Sequence, residues 1–453
     1  MSSDFIRRTF SRGHLLGKSI HTGRRIRLED PRRSTYVAGA HGEGKSTLML
    51  NLILDDIEGD DKGVVILDPH GDLVKAVAAR CPRQHVEQVV YFAPSEQRER
   101  VLGLNPFETQ HPSEYELKRN ALMDVFAYAW YGGYANTPTL QNTLETLIST
   151  LIAAYPAHRI SFLHMLLLTR LDPVGDRWRH EMATWVQDNP ALAQNWKEWQ
   201  QRRRLEADID STRQKVKHII ASDTLYPILC QPASAPCFRF QEVLSRNGVL
   251  LVNLEGLDDE SQRILGSIIL TQLFVMAKLR QDAGDRVPCH IYADEFYKFS
   301  PQSFVDIINE ARKFRLFCTL AHQNLAQLDK AAQAAAASCG NIIVFRVNPK
   351  DSAVLGRHFR AGGRALHSAT LSNLPRYHAA VRYVSYRQRR QAPLQTYKER
   401  GEASEEVAAL IRERSAAFGA PRTEIDDYVN GILNRHERRR RPPRRTKAKT
   451  SDN

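Results

Sequence analysis

The stretch Y36-V-A-G-A-H-G-E-G-K-S-T-L-M-L50 decides the fold. A short β-rich run ends on Gly39, glycines recur through Gly44, and from Lys45 apolar residues fall at helical spacing. The pattern Gly39-x4-Gly44-Lys45-Ser46, with a strand before it and a helix after it, predicts a phosphate-gripping loop. Glycines let backbone N–H groups curl around phosphate oxygens at a helix N-terminus. Lys45 supplies a point charge and Ser46 a hydroxyl for Mg²⁺. Gly39, Ala40, His41, Gly42, Glu43, Gly44, Lys45, Ser46 and Thr47 are therefore the expected nucleotide-binding set. Glu43 is the odd member, because phosphate repels a carboxylate; at this variable position its side chain is expected to point outward.

Outward from this loop, G63-V-V-I-L-D68, V89-V-Y-F-A93, G248-V-L-L-V-N-L254 and strands at 289–293, 315–321 and 341–347 are unbroken apolar runs separated by helical patterns. Such runs predict a parallel sheet covered on both faces. P375-R-Y-H-A-A-V-R-Y-V-S385 alternates like a strand near a sheet edge. Between these blocks only the helical period is visible, beginning with S113-E-Y-E116, a capping-box pattern. The expected organisation is a basic N-terminal segment at 1–33, a core built from 34–111 and 236–400, an all-α insertion at 112–235, C-terminal helices at 401–434 and a disordered basic tail at 435–453.

The chain has 453 residues and a formal net charge of +13, of which R435-H-E-R-R-R-R-P-P-R-R-T-K-A-K449 carries +8. That balance points to a polyanionic partner, with a solvated tail as the bland alternative. Six cysteines form no C-x-x-C pair and read as reduced, buried thiols. No apolar run approaches the ~18–20 residues of a membrane span, and the first residues lack an apolar signal core. A soluble, cytoplasmic protein is expected, reaching a membrane only through a partner.

Two further features carry chemistry. P288-C-H-I-Y-A-D-E-F296 is an apolar strand ending in Asp294, suited to the coordination sphere of Mg²⁺, and Glu295, suited to activating water. An Asp-Glu pair at a helix start is the plainer alternative. R315-L-F-C-T-L-A-H-Q323 ends in Gln323, which is placed to sense a γ-phosphate or equally to cap the next helix. R202-R-R204, Lys215, Lys217 and His218 form a basic face of the insertion. Trp196 and Trp199, three residues apart, read as packing residues rather than base-stacking platforms.

G39-A-H-G-E-G-K-S46, V65-I-L-D-P-H-G-D-L73, L104-N-P-F107, Y292-A-D-E-F296, A311-R-K-F314, L320-A-H-Q323 and F345-R-V-N-P-K-D351 occur in the order and spacing of the FtsK–HerA superfamily of ring-forming DNA-pumping ATPases. Over roughly residues 15–435 the chain most resembles the type IV coupling-protein branch, whose members feed DNA into conjugation machines. The resemblance implies an α/β fold: a RecA-like P-loop NTPase core with a mainly parallel central sheet, interrupted by an all-α insertion domain. It implies ATP and Mg²⁺ as cofactors, DNA as partner, and a homo-oligomer, a hexamer by analogy, with nucleotide between subunits. Gln323 then matches the family's sensor, and Arg312 best matches the arginine finger a neighbour supplies, with Arg315 as fallback. Typical coupling proteins begin with transmembrane helices, which this sequence is not expected to carry. A relaxosome or secretion-channel partner, a nuclease partner as in HerA-type translocases, and a nucleotide-gated DNA-binding adaptor are the competing expectations.

Overall fold

The computed structural model of the protein describes residues 13–28, 33–109, 112–131, 138–158, 160–201, 205–231, 240, 243, 247–279, 287–299, 305, 308, 310–361, 364–365, 368–385 and 388–435. They fall into two compact units, one comprising Met1–Arg98, Asp124–Tyr134 and Phe238–Phe418, the other Glu99–Met123, Ala135–Cys237 and Gly419–Asn453.

In chain order the strands are β1 (His14–Ser19), β2 (Arg25–Leu28), β3 (Thr35–Ala38), β4 (Gly63–Asp68), β5 (Val89–Phe92), β6 (Arg100–Val101), β7 (Val249–Asn253), β8 (Cys289–Ala293), β9 (Leu316–His322), β10 (Asn341–Val344), β11 (Arg360–Ala361), β12 (Arg364–Ala365), β13 (His378–Ser385), β14 (Gln388–Thr396) and β15 (Ala420–Pro421). Eleven of them form the central sheet of the first unit, in the order β2-β1-β14-β13-β10-β3-β9-β8-β4-β7-β5. From β10 to β5 every pairing is parallel, and from β10 outward to β2 every pairing is antiparallel. The parallel strands are buried, β4 and β8 at every residue, with only Val90 of edge strand β5 half-buried. That is why they read in the sequence as continuous apolar runs. Helix α1 (Lys45–Gly59) follows β3 and buries Leu48, Met49, Leu52 and Ile53 against one face, and helix α2 (Asp72–Arg80) follows β4 and adds Leu73, Val74 and Val77.

The antiparallel extension differs from expectation. The segment read as a basic N-terminal stretch contains β1 and β2, and β13 lies inside the sheet rather than near its edge. Helix Glu405–Ala417 belongs to the first unit, where Tyr91 N donates to Ser415 Oγ at 2.8 Å. The chain leaves the first unit at Glu99 rather than near 112, because Arg100–Val101 pairs with Ala420–Pro421 in the second unit.

Among its described residues the second unit is otherwise helical, with helices at Pro138–His158, Leu163–Thr169, Pro173–Trp185, Pro190–Gln201, Leu205–Ala221, Leu225–Leu229 and Arg422–Leu433. Trp196 and Trp199 are buried, pack edge to face at 5.2 Å, and Trp196 Nε1 donates to Thr150 Oγ1 at 3.0 Å. They are core residues. Ser113 sits inside a 3-10 turn (Pro112–Glu114) that leads into the helix Tyr115–Tyr131, so the helix begins within the expected capping box. Of the expected basic face, Arg202, Arg203 and Arg204 lie outside the described residues, Lys217 and His218 are exposed and Lys215 is half-buried. The tail beyond Arg435 and Cys237 also lie outside them.

Cys81, Cys230, Cys289, Cys318 and Cys339 are buried, and burial pushes the Cys81 and Cys339 thiols up to about 12. One described helix, Asp259–Leu279, has the length and apolarity to cross a membrane, contrary to the sequence reading; 78% of its apolar window is buried inside the protein, as in a core helix.

Candidate nucleotide-binding site

The glycine loop leaves β3 between two parallel neighbours and is pinned to both. Gly39 N donates to His322 O, at the end of β9, at 3.3 Å, and Ala40 N donates to Arg346 O, just past β10, at 2.8 Å. Gly44 has φ +114°, and a Cβ there would meet the Tyr377 ring at 2.8 Å; a Cβ on Gly39 would meet Phe345 Cβ at 2.7 Å. Only glycine fits either position. Lys45 is buried with its Nζ donating to Gly39 O (2.8 Å) and Ala40 O (3.1 Å). Burial lowers its pKa, opposed by Asp294, Glu295 and Glu43. Ser46 and His41 are exposed, and Ala40 and Thr47 are half-buried.

Glu43 does not point outward. It is buried, and its Oε1 accepts from both Nε (3.0 Å) and Nη2 of Arg346. A guanidinium holds one carboxylate oxygen and offsets its charge, while Oε2 is buried with no hydrogen-bond partner among the described residues. Arg376 Nε adds a bond to Gly42 O at 2.8 Å.

Two strands over from β3, β8 delivers Asp294 and Glu295. Asp294 N donates to Leu67 O and Glu295 N to Asp294 Oδ1, both at 3.0 Å. Glu295 adopts φ +44°, a left-handed conformation that a non-glycine residue holds only at a cost of about 1–3 kcal/mol, the kind of strain found at functional positions. Gln323, just past β9, lies close enough to Glu295 to oppose the rise in its carboxyl pKa. The 3-10 turn after Gln323 is capped instead by Asn324, whose Oδ1 accepts from Ala326 N at 2.9 Å, so Gln323 faces Glu295 rather than acting as a cap. Burial, then the charge of Asp68, pushes the Asp294 carboxyl up to about 6. Burial and Asp294 likewise raise Glu295.

Several residues that shape this site were quoted in the sequence without a role. Asp68, the first residue of D-P-H-G-D, accepts backbone N–H bonds from His70 (2.9 Å), Leu73 (2.8 Å) and Val74 (3.2 Å), holding the start of α2. Asp351 of F-R-V-N-P-K-D accepts from Leu325 N at 3.0 Å and so fixes the turn after Gln323. In the second unit, Asn105 of L-N-P-F bonds Ile160 O (2.6 Å) and Phe107 N (3.0 Å), a purely architectural task. His322 is buried against Tyr36 OH (3.3 Å) and its pKa is pushed down to about 3 by burial and Lys45, so it stays neutral.

Arg312 is not part of this cluster. It is exposed in the 3-10 turn Ala311–Phe314 that precedes β9, at the far end of that strand from Gln323. Seven strand residues at about 3.3 Å each separate the two ends by more than ~20 Å. Arg315 sits on the same side, with φ +58°.

The residues present fit a magnesium nucleotide. The loop is glycine where side chains would clash, and Lys45 is ringed by carboxylates. Glu295 Oε2 is buried with no hydrogen-bond partner among the described residues. Asp294 is a buried acid whose ionised form lacks a full complement of positive charge, which a cation would supply.

Comparison with known proteins agrees with this reading of the fold. Residues 13–273, more than half the chain, match the family model described as "Helicase HerA, central domain". A search of curated proteins finds no match. Among solved structures, plasmid coupling protein TrwB with the non-hydrolysable GTP analogue GDPNP superposes with TM-score 0.62 at 18% identity, covering 89% of this chain and 94% of that one. TrwB with ADP and Mg²⁺ gives TM-score 0.59 at 18% identity over 89% and 94%. VirB4 of Thermoanaerobacter pseudethanolicus gives 0.55 at 15% identity over 88% and 98%. With a glycine loop, acidic strand end and parallel sheet of this kind, the chain belongs to the HerA helicase central-domain family of P-loop NTPases.

Proposed function

We propose that the protein is a Mg²⁺-dependent ATPase that moves DNA through a ring of its own copies. The observation that carries the reading is the buried Lys45–Asp294–Glu295 cluster, tied through Gln323 to the end of β9, with Arg312 stranded at the opposite end of the same strand. Bound Mg·ATP supplies the electrophilic γ-phosphoryl group and the metal that offsets its charge. Lys45 and Ser46 hold the phosphates, with the N–H groups of residues 39–47, and Asp294 with Ser46 serves the metal. Glu295 accepts the proton of the attacking water; its raised pKa makes it a better base than an exposed carboxylate. Gln323 couples that carboxylate to β9. Arg312 acts on a neighbour's site, since it cannot reach its own; a guanidinium supplied from outside makes hydrolysis depend on assembly.

DNA as the load rests on the net charge of +13, on the helicase named by the matching family model and on the likeness to a plasmid coupling protein. We place the protein in the cytoplasm, linked to a secretion-channel or relaxosome partner. A second version of the same motor, a HerA-like translocase working beside a nuclease, is the alternative that the resemblance implies. Displacement of streptavidin from biotinylated DNA, single- or double-stranded, tests the proposal. ATP-dependent displacement, abolished in Lys45→Ala and Glu295→Gln, is expected. Hydrolysis without displacement of either substrate would leave a nucleotide-gated adaptor instead.

A further inference from the structure

The antiparallel extension has one face in the core and one in solvent. Ala379, Val381 and Leu394 point into the core cluster beside α1. The opposite face can be followed by register. Arg25 on β2 stands opposite Lys18 on β1, Lys18 opposite Gln395 on β14, and Gln395 opposite His378 on β13. Directly opposed residues in an antiparallel pair project to the same side, and alternation along β2 and β14 puts Arg27 and Arg389 on that side too. Lys18, Arg25, Arg27, Arg389 and Gln395 are exposed. Arg382 marks where the open face passes under cover: it is half-buried, with Nη2 donating to Cys339 O at 3.3 Å. Among the described residues, none of Lys18, Arg25, Arg27 and Arg389 pairs with a carboxylate, and Arg389 lies close enough to Arg382 to depress its pKa.

Four unneutralised cations on a rigid sheet surface, about 10 Å across the strands and about 26 Å along them, match a polyanion with charges at regular spacing. We infer that this face binds the phosphodiester backbone of the DNA that the motor handles, a contact separate from the nucleotide site; the inference rests on the DNA-motor reading above. Arginine forks and a lysine ammonium group suit phosphate oxygens, and contacts to the backbone carry no sequence information, so binding is independent of sequence.

The experiment compares the full-length wild type with Lys18→Gln/Arg25→Gln/Arg27→Gln/Arg389→Gln. Each is measured with a fluorescent random-sequence DNA, with phosphatidylcholine–phosphatidylserine vesicles, and for oligomeric state. ATP binding serves as the fold control, since none of the four residues touches the nucleotide site. The expected result is a loss of DNA affinity of at least about tenfold. It comes with a log–log salt dependence shallower by about 3 to 4, one unit per lost phosphate contact, and with ATP affinity and oligomeric state unchanged. If the quadruple variant does not fold, single Arg389→Glu reversal should weaken DNA binding in the same direction. Unchanged DNA affinity and salt slope overturn the proposal while leaving the motor intact. Selective loss of vesicle binding, or of self-association, overturns it in favour of a lipid surface or a second copy. A wild type that binds no DNA at all sinks the motor reading itself.

Discussion

Glu43 shows how a single residue can contradict its neighbours and still be explained. A carboxylate in a phosphate-binding loop is tolerable only if another group holds it, and Arg346 does so through two N–H donors on one oxygen. Because Arg346 is about half exposed, the pair contributes little to stability; its consequence is for nucleotide affinity. Arg346→Ala should free a negative charge beside the phosphates and raise KM for ATP about tenfold or more, equivalent to ~1.4 kcal/mol, with a smaller effect on kcat. Glu43→Gln/Arg346→Ala should recover most of the loss, a coupling that only contacting residues show. A double variant as poor as the single one would mean that Arg346 itself touches the nucleotide.

At the scale of elements, α1 is locked to the strand that ends in Asp294 and Glu295 by a buried polar cluster well away from the loop. Asp56, fully buried on α1, accepts from Lys62 Nζ (2.7 Å) and Tyr292 OH (2.7 Å), contacts His14 Nε2 at 2.5 Å, and lies 3.2 Å from His290 Nδ1. His290 Nε2 in turn meets Thr319 Oγ1 on β9 at 2.9 Å. His14 and Lys62 hold the Asp56 carboxyl well below its ordinary range despite burial. A depressed carboxyl stabilises the fold above its unfolded pKa, near 4, and loses that contribution as pH falls further. Asp56→Asn should therefore cost about 3–5 kcal/mol at neutral pH, a gap that closes in chemical denaturation below about pH 4. A pH-independent gap would show that packing, not charge, is at stake.

This cluster also marks the limit of what the sequence made legible. The parallel strands and the residues at their ends could be read because burial on both faces leaves an apolar run that stops at a polar residue, as β8 does at Asp294. The strands β1, β2 and β14 could not, because one face is solvent and carries Lys18, Arg25, Arg27 and Arg389, so charge hides the alternation. Nothing local in His14 or Asp56 announces that they meet, since 42 residues separate them. The role of Arg346 was equally invisible, because it depends on two loops brought together by β3–β10 pairing.

For the whole molecule, the account turns on separation. The chain places Glu295, the proposed base, and Arg312, the proposed finger, at opposite ends of the sheet, so on the proposed function a single copy would hold an incomplete site. The direct measurement is ATP hydrolysis with and without DNA by wild type, Arg312→Ala, Glu295→Gln and a mixture of the two variants. The account predicts DNA-stimulated activity that falls on the order of 10³-fold in Arg312→Ala, is absent in Glu295→Gln, and partly returns on mixing, where an intact arginine of one copy faces an intact glutamate of the next. Full activity in Arg312→Ala, or two inactive variants that stay inactive together, would contradict a site shared between subunits.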